Sequence, residues 1–164
     1  MDRLLPAAAR IAGILKARGE TVAVSESAAG GLISAALLAV PGASAYYLGG
    51  GVIYTRPARR GLLGLADRDV KAKGVTESYT LLAARTIRER LESSWAIGES
   101  GVAGPSGSRY GHAPGHAGLA VAGPVEKVQT LQTGLDDRVE NMRLFAAAAL
   151  DLLEAALQEA ARDA

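Results

Sequence analysis

The chain has 164 residues, a length at which one core buries about 70% of the unfolded chain's surface without disulfide or metal staples. Hydrophobic residues make up 49% and aromatics only 4%, so the core must be built from Ala, Leu, Val and Ile, an α/β profile. Eighteen basic and 17 acidic residues leave a formal charge of +1 with no block of either sign, and there is no cysteine. Nucleic-acid arms, disulfides, thiolate metal sites and cysteine nucleophiles are thereby excluded, and a cytoplasmic location is expected.

Near the start, Leu5, Ala8, Ile11, Ala12 and Leu15 share one helical face, Lys16 and Arg18 sit in the last turn, and Gly19 suits a left-handed cap. Pro6, Lys16 and Arg18 interrupt any long apolar run, so neither a signal segment nor a membrane anchor is expected. Thr21 to Ser25 reads as a buried strand that enters the loop Glu26-Ser27-Ala28-Ala29-Gly30-Gly31, followed by an apolar helix from Leu32 to Val40. A helix that begins where a strand ends aims free N–H groups and its dipole at an anion, although this loop is neither a P-loop nor a dinucleotide fingerprint.

Pro41-Gly42 breaks the helix, and Gly49-Gly50-Gly51 precedes a second strand at Val52 to Thr55, with Pro57 opening a short helix to about Leu65. Thr76 is placed to cap a helix whose stripe is Leu81, Ala84, Ile87 and Leu91 and which ends near Ser93. Trp95 to Gly98 reads as a third strand. Gly101 to Gly118 then holds six glycines and two prolines, which predicts a long functional loop. Leu119 to Ala122 and Val128 to Leu131 are short strands joined by a hairpin-length link. Asp137-Arg138-Val139-Glu140 resembles a capping box opening a helix to about Glu159, with Met142, Phe145, Ala149 and Leu152 on its buried side. The order predicts one three-layer α/β/α domain over residues 1–164, with a mixed, mostly parallel central sheet.

Two loops at strand ends, around Ser27 to Gly31 and from Ser100 through Gly101 and Gly104, stand where open α/β sheets place ligands. Ser44, Tyr54 and Arg59 supply a hydroxyl, a phenol and a fixed cation, but Arg stays protonated and cannot activate a serine. By spacing alone Ser44 reads as a turn residue. His112 and His116 lie in a Gly/Pro loop without a third ligand and read as exposed histidines; no metal is expected. Arg138 and Arg143 are placed either to meet a phosphate or to solvate the surface.

These segments, in this order, resemble the C-terminal domain of the CinA family and its single-domain relatives, the nicotinamide mononucleotide deamidases. The family's Glu-Ser-Cys-Thr-Gly-Gly appears as Glu26-Ser27-Ala28-Ala29-Gly30-Gly31, its Gly-Ser-Ser as Gly42-Ala43-Ser44, and its Tyr-Ser-Asn-Glu-Ala-Lys as Tyr54-Thr55-Arg56-Pro57-Ala58-Arg59. Its Ser/Thr-Gly-Ile-Ala-Gly-Pro is kept as Ser100 to Pro105, and an Asp-Arg before the last helix as Asp137-Arg138. The resemblance implies hydrolysis of the carboxamide of a small-molecule pyridine mononucleotide, nicotinamide mononucleotide, to nicotinic acid mononucleotide and ammonia, with no cofactor.

Carried across, Ser44 matches the serine nucleophile, Tyr54 the adjacent tyrosine, and Arg59 the lysine that takes the serine proton. The substrate-binding positions become Ser27, Gly30, Gly31, Ser100, Gly101, Gly104 and Arg138. Because a guanidinium cannot be that base, Tyr54, lowered by Arg59, becomes the expected acceptor. The alternative is a nucleotide-binding protein of the same fold without turnover. Members of the family commonly associate, so a homo-oligomer is a further expectation.

Overall fold

The computed structural model describes residues 1–162. Its helices are α1 Leu5–Arg18, α2 Leu32–Leu38, α3 Arg56–Gly61, α4 Asp67–Val70, α5 Glu77–Leu91 and α6 Arg138–Ala160. Its strands are β1 Val22–Glu26, β2 Tyr47–Val52, β3 Trp95–Gly101, β4 His116–Ala122 and β5 Lys127–Gln132. They form one sheet in the order β2-β1-β3-β4-β5, parallel between β2, β1 and β3 and antiparallel from β3 to β4 and from β4 to β5. Helices α1, α2 and α6 cover one face around Trp95, Ile97 and Phe145, and α3 to α5 cover the other around Ala96, Ala84 and Leu63. The α/β class and the mixed sheet stand as expected.

Local chemistry sets the helix ends. Gly19 caps α1 in the left-handed conformation (φ 65°), the Thr76 hydroxyl accepts from Tyr79 N, and the Asp137 carboxylate accepts from Glu140 N. The buried stripes are turned by about one residue from the periodicity reading. Thr80, Ala83, Ala84 and Ile87 line α5, while Leu81 and Leu91 are half-buried. On α6 Asn141, Phe145, Ala149 and Leu153 are buried, while Met142 and Leu152 are half-buried.

Two expectations are corrected, both because glycine marks close approach as well as turns. The second strand is Tyr47–Val52, with the three glycines inside it, rather than Val52 to Thr55. A Cβ at Gly50 would stand 2.6 Å from Val24 O on β1. The glycine-rich loop is also shorter than Gly101 to Gly118: β3 runs through Gly101 and β4 begins at His116, pairing Gly101 with Ala117. Gly98 on β3 and Gly118 on β4 both lie under α5, where a Cβ would meet Thr80 O at 2.3 Å and Thr80 Oγ1 at 2.7 Å respectively. These glycines let α5 lie directly on the sheet.

Candidate functional site

The parallel strands β1, β2 and β3 end along one edge of the sheet, and the segments that leave them enclose a cleft of about 570 Å³. Ser27 and Ala28 follow β1, Tyr54 to Pro57 and Arg59 follow β2, and Ser100 to Gly104 end β3; Arg109, Tyr110 and Arg138 complete the rim. This is the edge where parallel sheets place ligands. Among the described residues its wall carries four arginines, Arg56, Arg59, Arg109 and Arg138, and no Asp, Glu or Lys.

Arg59 is buried (8% exposed), with Nη1 donating to Val70 O at 3.2 Å and Ala72 O at 2.8 Å and its guanidinium 4.0 Å over the Tyr79 ring. Burial raises the Tyr79 phenol, and the Arg59 charge partly opposes that. Gly74 makes room for this cation, since a Cβ there would stand 2.4 Å from Arg59 Nη2. Arg138 reaches the opposite wall, donating through Nη1 to Gly104 O at 2.7 Å and through Nη2 to Tyr54 Oη at 3.1 Å. Tyr54 therefore meets Arg138, and the expected pairing of Tyr54 with Arg59 is not formed.

The phenol brought below its ordinary value is Tyr110. Burial alone would raise it, but hydrogen bonding and charge from Arg109 and Arg56 outweigh that. Arg109 Nη2 donates to Tyr110 Oη at 3.0 Å.

The loop after β1 departs from the anion-site expectation, because the chain's own carboxylates occupy its N–H groups. Glu26 accepts from Gly31 N (2.9 Å), Ile33 N (3.1 Å) and Ser34 N (3.1 Å) and from Ser34 Oγ (2.6 Å). Glu99 Oε2 accepts from Ser27 N at 2.8 Å and Ala29 N at 2.9 Å. Gly30 and Gly31 shape the turn beneath the cleft and are not among its lining residues. Ala103 and Gly104 line the cleft, and their N–H groups make no hydrogen bond among the described residues. Asn141 fixes that second loop, donating to Ala103 O and Leu135 O, each at 2.9 Å. Ser100 Oγ accepts from Val75 N at 3.2 Å and so holds the Gly74–Val75 wall.

Ser27, Tyr54, Arg59, Ser100, Gly101, Gly104 and Arg138 are thus brought together; Ser44 is not. It is exposed in the 3-10 turn Ala43–Ala45, before the first residue of β2, beside Pro41, whose carbonyl accepts from Lys16 Nζ. Six strand residues at about 3.3 Å each separate that end of the sheet from the cleft, roughly 20 Å. Of the four serines that line the cleft, Ser100 Oγ and Ser108 Oγ accept from backbone N–H groups. Ser27, which follows β1 directly, has a hydroxyl that makes no hydrogen bond among the described residues, as does Ser106 on the outer loop.

His112 and His116 are half-buried rather than exposed, with rings stacked at 4.1 Å and 7°. Among the described residues no group of three His, Cys, Asp or Glu is placed to hold a metal, and no helix is long and apolar enough to cross a membrane. Residues that composition and spacing passed over are Glu99, Arg56, Arg109 and Tyr110. A Glu inside an otherwise buried strand is the signal that marks the first, because an unpaired charge is not left in a core.

The model of the CinA C-terminal domain matches residues 5–157. A CinA-like protein of Prochlorococcus marinus is 42% identical over 112 residues, covering 68% of this chain and 26% of the relative. One from Salinibacter ruber is 36% identical over 138 residues, covering 84% and 34%. The chain therefore spans about a third or less of the length of these relatives. Among solved structures, a competence/damage-inducible protein from Agrobacterium tumefaciens superposes with a TM-score of 0.87 at 29% identity, covering 95% of this chain and 96% of the other. A CinA superfamily protein from Klebsiella pneumoniae gives 0.87 at 26%, covering 95% and 98%. Four-fifths or more of the chain lies within each of the Salinibacter, Agrobacterium and Klebsiella matches, and the chain belongs to the CinA C-terminal domain family.

Proposed function

We propose that the cleft hydrolyses the carboxamide of a pyridine mononucleotide, nicotinamide mononucleotide, to the acid and ammonia. The observation that carries this reading is a wall of four arginines without a carboxylate, meeting an unengaged serine at the carboxyl ends of parallel strands. Guanidinium forks suit a phosphate monoester, and Arg56, Arg109 and Arg138 lie at the rim where they can receive it. In this reading Ser27, rather than Ser44, attacks the amide carbon. The N–H groups of Ala103 and Gly104 receive the developing oxyanion, and water clears the acyl-enzyme.

A second reading has its own support: Arg59, committed to Val70 O, Ala72 O and Tyr79, cannot be the base of a serine–lysine pair. The protein would then hold a nucleotide without turning it over. Incubation with nicotinamide mononucleotide, followed by chromatography for nicotinic acid mononucleotide and by calorimetry, separates the two. Ser27-dependent product supports the hydrolase; binding heat without product supports the binding protein; neither product nor heat rejects both.

A further inference from the structure

Glu99 stands in the buried strand β3 and is 3% exposed. A carboxylate so placed is costly unless both oxygens are hydrogen-bonded. Only one is: Oε2 accepts from Ser27 N and Ala29 N, while Oε1 is enclosed and has no partner among the described residues.

The neighbouring carboxylate shows the arrangement that Glu99 leaves half made. Glu26 Oε1 accepts from the N–H of Ser34 at 3.1 Å and from the hydroxyl of the same residue at 2.6 Å. Glu99 holds the N–H of Ser27 through Oε2, at 2.8 Å, but not its hydroxyl, and its second oxygen, Oε1, is the one left open. Oγ is three bonds from that nitrogen, and χ1 has three staggered positions, so a rotamer change carries Oγ around an N–H that is already held.

We propose that Glu99 is the proton acceptor for Ser27, its Oε1 taking the Oγ proton as Oγ attacks an amide carbonyl carbon in the cleft. The proposal rests on reading Ser27 as the nucleophile. As the Oγ–C bond forms, the carbonyl π pair moves to oxygen and the proton moves to Glu99. When the C–N bond breaks, the nitrogen takes that proton and leaves as ammonia. Water then attacks the ester, gives Glu99 a proton, and Ser27 recovers one as the acid departs.

The surroundings suit the task. Burial raises the Glu99 carboxyl to about 7, the N–H groups of Ala29 and Ser27 oppose this, and the Glu26 charge adds to it. Glu26, on the adjacent strand β1, is the charged group that acts on it, and Tyr79 on α5 is the titratable phenol that feels its charge; the cross-strand neighbour on β4 is Leu119, and α6 presents Phe145 against Gly101. An acceptor poised near neutral pH supplies what Arg59 cannot.

The test is phosphonylation of the full chain by a fluorophosphonate, with the modified residue located by peptide mass spectrometry. The P–O bond forms at serine, fluoride leaves, and the serine proton needs an acceptor. The expected result is an adduct at Ser27 whose rate of formation rises as pH passes through about 7 and falls about 100-fold in Glu99→Gln, which keeps an oxygen for the two N–H groups. Labelling of Glu99→Gln within about threefold of the native rate, or no adduct at Ser27 in the native chain, overturns the proposal. Should Glu99→Gln not fold, the native pH profile decides, and a rate flat from pH 5 to 9 overturns it. Turnover of nicotinamide mononucleotide separates this from the underlying reading. Glu99-dependent labelling without product removes the deamidase reading alone; turnover lost in Ser27→Ala but kept in Glu99→Gln removes Glu99 alone.

Discussion

The guanidinium of Arg59 lies 4.0 Å over the ring of Tyr79, with Nη1 donating to the carbonyls of Val70 and Ala72. This places a permanent cation, already committed to structure, where the family resemblance puts a lysine. Arg59→Met leaves two carbonyls without their donor and removes the stacking charge, and is expected to cost about 2–4 kcal/mol. Arg59→Lys keeps the charge but not the two-carbonyl geometry and is expected to cost about 1–2 kcal/mol. It brings no gain in amide turnover, because the acceptor lies elsewhere. Denaturant unfolding and initial rates of both variants check these outcomes.

In the proposed function the rim arginines receive the phosphate. Arg138→Ala removes a charged donor and frees Gly104 O, and is expected to weaken binding of nicotinamide mononucleotide by about 10- to 100-fold. Arg109→Ala, further out on the exposed loop, weakens it less. Calorimetry with the mononucleotide and with the phosphate-free riboside separates the contributions: the riboside's affinity is expected to change little in either variant.

Glu99 imposes a pH dependence on stability whose sign follows from its raised value. The folded chain holds this proton up to about 7, whereas the unfolded chain releases it near the ordinary 4.5. Stability is fully present below about 4.5 and is lost as pH rises through about 7, by about 3 kcal/mol in this one contribution. Glu99→Gln, neutral throughout, removes that slope and is expected to gain on the native chain between pH 5 and pH 8 in urea unfolding.

Gly98→Ala places a methyl against Thr80 O, 2.3 Å from the added carbon, in a contact that strand and helix backbones both resist. A loss of about 2–3 kcal/mol is expected in thermal unfolding. Gly19→Ala, with open space but φ 65°, is expected to cost about 1 kcal/mol from backbone strain alone.

Helix ends were legible in the sequence because their signals are local: Gly19, Thr76 and Asp137 cap α1, α5 and α6 as read. The two loops that build the cleft were legible for a similar reason, since strand, loop and helix follow one another in order. What periodicity cannot carry is the third dimension. Gly49 to Gly51 look like a turn until Val24 O is seen against Gly50. Ser44 and Tyr54 are ten residues apart in sequence, yet β2 runs between them and sends them to opposite ends of the sheet. Glu99 went unread because its meaning depends on Ser27 and Ala29, 72 and 70 residues away.

The central claim, that Ser27 is the reacting serine of an amide-hydrolysing cleft, is tested most directly by one comparison. Release of nicotinic acid mononucleotide from nicotinamide mononucleotide is measured for the native chain, Ser27→Ala and Ser44→Ala side by side. Ser44 is exposed and remote, so Ser44→Ala is expected to keep the native rate and a stability within about 0.5 kcal/mol, while Ser27→Ala releases no product. Turnover that survives in Ser27→Ala and vanishes in Ser44→Ala would contradict the account and return the chemistry to the other end of the sheet.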